Sequence, residues 1–75
     1  MTRERGDMIL HVETELEDDG RWLAEVPELP GVLAYAPTEP EARARAQALA
    51  LRVLADRLEH GEAGPEIEDI SFSAA

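Results

Sequence analysis

The 75-residue chain contains no cysteine, which excludes disulfides and leaves no thiolate to hold a metal ion. It contains no lysine either: all seven basic residues are arginine. Aromatic residues are down to one Trp, one Tyr and one Phe. Trp22 and Tyr35 are read as core or interface packing, because bases stack on sheet aromatics only beside a basic groove, and the sequence offers none. Long apolar runs are missing too. The most apolar stretch, residues 46–55, is interrupted by Gln47 and Arg52 and is too short and too polar to cross a bilayer. The opening residues, Met1 to Asp7, lead into alternating polar and apolar positions rather than the apolar segment of a secretory signal. The expected location is cytoplasmic, with no membrane association.

What the chain has in excess is negative charge. Seventeen acidic residues against seven basic ones give a net charge of −10. The excess is uneven: residues 1–37 hold nine acids and three arginines, residues 38–60 four of each, and residues 61–75 four acids and no base. Affinity for nucleic acid comes largely from Lys and Arg neutralising phosphates, whereas an acidic surface repels it and attracts basic partners. The same acidity also keeps a small protein in solution, and composition alone does not choose between the two. A domain of this length removes only about 60% of its unfolded-chain surface from water, and such small cores are often completed by oligomerisation. Residues 1–75 are therefore read as one domain, with 1–7 and 73–75 as flexible ends, forming a homodimer or higher oligomer.

Residues 8–16 alternate, with Met8, Leu10, Val12, Thr14 and Leu16 on one face and Ile9, His11, Glu13 and Glu15 on the other, the period of a half-buried strand. Asp19-Gly20 lies between this run and a second alternating one, residues 21–26, as expected for a hairpin with a type I′ turn. In the second run Trp22, Ala24 and Val26 share a face. Pro27 and Pro30 end it, since proline has no N–H for a ladder. Residues 32–36 have the β-branched and aromatic content of a third strand, and residues 66–72 alternate again as a fourth. Between them, Thr38 and Glu41 are spaced as a capping box, the Thr hydroxyl accepting from the Glu41 N–H and the Glu carboxylate returning to the Thr38 N–H. Gly61 suits the position just past the helix end.

The helix carries more apolar surface than the single stripe of a surface helix. At 100° per residue, Ala42, Ala46, Leu49, Ala50 and Val53 fall in one arc. Leu51, Leu54 and Leu58, with Ala44, Ala48 and Ala55, fill much of the opposite side. One small sheet cannot cover both, so Leu51, Leu54 and Leu58 are expected at an oligomer interface.

The stretch from Asp18 to Glu62 resembles the HicB-type antitoxin family. The residues that carry the resemblance are Asp18-Asp19-Gly20, Trp22, the run Ala24-Glu25-Val26-Pro27-Glu28-Leu29-Pro30-Gly31, the cap Thr38 and the helix start Glu41-Ala42. The resemblance implies an α+β fold of order β-β-β-α-β. It is a partial ribonuclease H-like core, with three antiparallel strands and a fourth strand, parallel to the first, packed on one long helix. It also implies a function: neutralising a small basic HicA-type, mRNA-cleaving toxin by covering its active surface. Many family members add a C-terminal DNA-binding module, whereas only 14 residues follow Gly61 here and none is basic, so direct DNA binding is not expected. The alternative is an orphan oligomeric domain with a structural or regulatory role. The acids around the first hairpin, Asp18, Asp19, Glu25 and Glu28, are the expected contacts for a basic partner. Leu29, in the proline-rich loop, is the expected apolar anchor. That loop reads either as a rigid connector or as an edge shaped for a partner.

No catalytic residue, metal ligand or cofactor is assigned, and the chain is not expected to be an enzyme. Two-metal phosphodiester cleavage needs several carboxylates converging on ions about 3.5–4 Å apart. Glu13, Glu15, Glu41, Asp56 and Asp69 have no spacing that forces such convergence. His11 and His60 are far apart in sequence and lack partners of metal-ligand type.

Overall fold

A computed structural model describes residues 7–61 and 69–74. The described elements follow the order β1 (Asp7–Leu16), β2 (Trp22–Glu25), β3 (Leu33–Ala36), α1 (Glu39–Glu59) and β4 (Asp69–Ala74). They form a four-stranded mixed sheet of order β3-β2-β1-β4 with one helix, an α+β domain. β1 and β2 are antiparallel, with Glu13 opposite Glu25 and Leu16 opposite Trp22. β2 and β3 are antiparallel, with Leu23 opposite Tyr35. β4 lies parallel to β1 on its other side, with Met8 opposite Ile70 and Leu10 opposite Phe72. Because β3 and β4 both run parallel to β1, the chain must cross the sheet between them, and α1 makes that crossing.

Alternation along β1 has its expected consequence. Leu10 and Val12 are buried, at 2% and 1% exposure, beneath α1 together with Ala24, Val26, Val32 and Ala36. Met8, Trp22, Ile70 and Phe72 close the rim of this core. From the helix come Ala42, Ala46, Ala50 and Leu54, spaced four residues apart so that one side of α1 lies flat on the sheet. Three alanines in that row bring the helix close to the strands. Leu54 therefore belongs to the core, which corrects its assignment to an oligomer interface. The sequence places it on the far side, but it continues the Ala42-Ala46-Ala50 row. Leu51 and Leu58 do point outward, each 46% exposed.

The helix starts at Thr38 with extended backbone (φ −129°, ψ 157°), and its hydroxyl accepts from the Glu41 N–H at 3.3 Å. The Glu41 carboxylate then accepts the Thr38 hydroxyl proton at 3.0 Å, where the sequence pattern predicts a bond to the Thr38 N–H. Glu39 fixes the same end to the sheet: its Oε2 accepts from Thr14 Oγ1 at 2.7 Å and from Arg43 Nη2 at 3.1 Å. At the other end His60 caps the helix, and Gly61 takes φ +70°, a conformation that costs glycine little.

Two further expectations are revised. The β1–β2 connection is a three-residue loop: the Glu17 N–H donates to Arg21 O at 2.8 Å, the Gly20 N–H to Glu17 O at 3.0 Å, and Gly20 has φ +90°. That pattern is a turn closed by a glycine bulge, not a two-residue type I′ turn. β4 runs Asp69–Ala74 and so includes Ser73 and Ala74, read from sequence as a flexible end, while Asp7 already belongs to β1. The expected start of β4 at Glu66 lies outside the described residues.

Candidate protein-interaction surface

The side of the sheet that faces away from α1 carries the residues of opposite parity to the core. On β1 these are Ile9, His11, Glu13 and Glu15; on β2, Leu23 and Glu25; on β3, Leu33 and Tyr35. No described element covers them. Ile9 is 59% exposed, Leu33 43% and Tyr35 37%. The face therefore combines apolar side chains with the carboxylates of Glu13, Glu15 and Glu25, and of Asp69 on β4, the anatomy of an interaction patch with anchors and a charged rim.

The electrostatics of this face are unbalanced. Glu13 and Glu25 are directly opposite one another in the β1–β2 register, an arrangement of like charges that disfavours the pairing. Glu15 lies two residues along on the same face. None of the three has an ion-pair partner among the described residues. Among the described residues, the arginine on this face, Arg21, is already engaged. Its guanidinium stacks 4.4 Å above the Tyr35 ring, and its Nε donates to Asp19 Oδ2 at 2.8 Å. Arg45 is also occupied, donating from Nη1 to the Tyr35 carbonyl at 2.8 Å. That bond fills a backbone acceptor on the free side of β3, an edge strand, and so discourages edge-to-edge pairing there.

The residues expected from sequence to meet a partner do not form one cluster. Asp18 and Asp19 sit at the hairpin tip, where Asp19 accepts from the Arg21 N–H at 3.0 Å and from its side chain. These bonds hold the Asp19 carboxyl below the usual carboxylate range. Residues 15–19 line a shallow depression of about 290 Å³ at this end. Glu25 is half-buried on the outer sheet face. Glu28 is turned back on its own fold: Oε2 accepts a hydrogen bond from His11 Nδ1 at 2.5 Å, and Oε1 accepts one from the His11 backbone N–H at 3.0 Å. The His11 ring, then the His11 N–H, keep the Glu28 carboxyl below its ordinary range.

Leu29 is buried at 3% exposure, so it is a core residue and not an exposed anchor. Two successive turns carry it inward: the Leu29 N–H donates to Val26 O, and the Val32 N–H to Leu29 O, both at 3.0 Å. Gly31, with φ +91°, lets the chain turn back into β3. The exposed anchors are instead Leu33 and Tyr35, with Ile9 further along the same face on β1. Strand parity identifies them, since they oppose the buried Val32, Ala36 and Leu10.

The chain matches no family model, no curated protein and no solved structure. What the site can do therefore rests on its own geometry. The carboxylates considered for nuclease chemistry are split between opposite sides of the molecule. Glu13, Glu15 and Asp69 face outward from the sheet, while Glu41 and Asp56 are on exposed positions of α1. No group of three or more His, Asp or Glu side chains is placed to hold a metal ion among the described residues. No described helix is long and apolar enough to cross a membrane.

Proposed function

We propose that this chain is a binding module that captures a small basic protein on the outer face of its sheet, and that it is a HicB-like antitoxin acting on a HicA-type mRNA-cleaving toxin. In this reading it catalyses nothing and its four-stranded core is of the partial ribonuclease H-like kind. The observation that carries the reading is the pairing of exposed Ile9, Leu33 and Tyr35 with the acids Glu13, Glu15 and Glu25, which have no ion-pair partner among the described residues, on one open face. A cationic partner relieves the Glu13–Glu25 repulsion, and apolar contacts beside it exclude water and set the residence time. The run from Ala24 to Gly31 supports the choice of family.

The test is binding to a small basic HicA-type toxin, measured by surface-binding kinetics at two salt concentrations. The Glu13→Gln/Glu25→Gln variant is expected to associate more slowly and with a flatter salt dependence, because the screening length falls from about 30 Å at 0.01 M to about 8 Å at 0.15 M. Tyr35→Ala is expected to dissociate faster. Identical kinetics for the wild type and the double Gln variant at both salts would leave the acids as solubility groups and remove the basis for an antitoxin role. In that outcome an orphan structural or regulatory domain becomes the better reading.

A further inference from the structure

The side of α1 opposite the sheet carries an apolar row beside its polar stripe. Ala44, Ala48, Leu51, Ala55 and Leu58 are all exposed, although a helix with one covered face ordinarily turns polar residues to water. Their spacing from Ala44 is four, three, four and three residues, an average of 3.5. That is the repeat of a seam between two paired helices. Alanine at three of the five positions allows close approach of the axes, and Leu51 and Leu58 supply the bulk.

The charges beside this seam say which helix fits. Glu41, Arg45, Arg52, Asp56 and Glu59 lie along one flank; past Glu41, which is bonded to Thr38 at the helix start, two cations in the N-terminal half are followed by two acids in the C-terminal half. A second copy of α1 running parallel would turn this flank towards the other flank of its partner, where Gln47 carries no charge. Running antiparallel, with the two-fold axis near Leu51 and Arg52, the flank meets its own copy. Each Arg45 then faces Glu59 of the second copy, and the two Arg52 side chains, brought together near the axis, each come within reach of the other chain's Asp56. Antiparallel packing also opposes the two helix dipoles. Among the described residues Arg52 and Glu59 have no ion-pair partner within their own chain; Arg45 gives one N–H to the Tyr35 carbonyl but keeps an unpaired charge, and Asp56 is shared with His60.

We infer that α1 pairs with α1 of a second copy, antiparallel, along Ala44, Ala48, Leu51, Ala55 and Leu58. The contact is isologous, as a two-fold dimer requires, and leaves both outer sheet faces open on the far sides of the pair. It is independent of the toxin-binding reading, which concerns the opposite side of the molecule.

The absence of native cysteine makes the test direct. Leu51→Cys, close to the axis, is expected to form a disulfide-linked dimer under mild oxidation. Ala44→Cys is not, because antiparallel pairing sets the two Ala44 positions about 20 Å apart at about 1.5 Å rise per residue. Sedimentation equilibrium is expected to give a dimer for the wild type at tens of micromolar, and a dissociation constant raised by about tenfold or more for Leu51→Glu. Far-UV circular dichroism should be unchanged, since this residue makes no core contact. Glu59→Arg should weaken the dimer and Arg45→Glu/Glu59→Arg should restore it. A monomeric wild type, a dimer that persists in Leu51→Glu, or equal cross-linking of the two cysteine variants would overturn the proposal.

Discussion

Glu28 shows how a single side chain can link two parts of the fold. Its carboxylate accepts hydrogen bonds from both the His11 ring and the His11 backbone N–H, tying the proline-rich loop to β1. The folded-state pKa of this group is depressed. Its contribution is therefore present above the unfolded carboxylate value, about 4.3, and is lost as pH falls through the folded one. Glu28→Gln is expected to lower the melting temperature at neutral pH and to match the wild type in strong acid. Thermal unfolding followed across pH 2 to 7 checks this, and a gap of constant size would contradict it. Leu29, next in sequence, illustrates what single-residue reading misses. Between two prolines it looks like an exposed loop residue, but the turns at Val26 and Leu29 direct it inward, and no local periodicity announces that. Leu29→Ala is expected to cost about 2–5 kcal/mol of stability in denaturant unfolding, and should do so with or without a partner.

At the level of elements the sequence was most legible where the signal is local. Period two located β1 and β2, while Thr38 and Gly61 bracketed α1 to within a residue of Glu39–Glu59. The hairpin was recognised, but its turn type was not, because the extra residues at Glu17 and Arg21 close a longer loop. The faces of α1 were harder. Both are apolar, so hydrophobicity did not separate them, and Leu54 fell on the wrong side. What decides is the sheet, which selects the alanine-rich row that brings the helix nearest. Two substitutions follow from this division. Leu54→Ala is expected to destabilise the fold by about 2–5 kcal/mol. Thr38→Ala is expected to cost about 0.5–2 kcal/mol through the lost cap. Urea unfolding of the two variants, with the Leu54 change smaller than the Thr38 change, would contradict the placement of Leu54 in the core.

The whole molecule is two layers thick, and each layer leaves an apolar surface outside: Ile9, Leu33 and Tyr35 on the sheet, Leu51 and Leu58 on the helix. The sequence predicted excess apolar surface on the helix. The second such surface emerged only from the strand register, which sets Glu13 against Glu25 and brings Leu33 and Tyr35 beside Leu23. Under the proposed division of labour the helix side joins copies and the sheet side meets the partner, so changes on one should leave the other intact. The most direct measurement is a titration of a HicA-type toxin, the partner class proposed above, against the wild type, Tyr35→Asp and Leu51→Glu, with the toxin's RNA cleavage as readout. The account predicts full inhibition near equimolar wild type, a loss of about 100-fold in potency for Tyr35→Asp, and inhibition retained per chain by Leu51→Glu. Tyr35→Asp inhibiting as well as the wild type would contradict it.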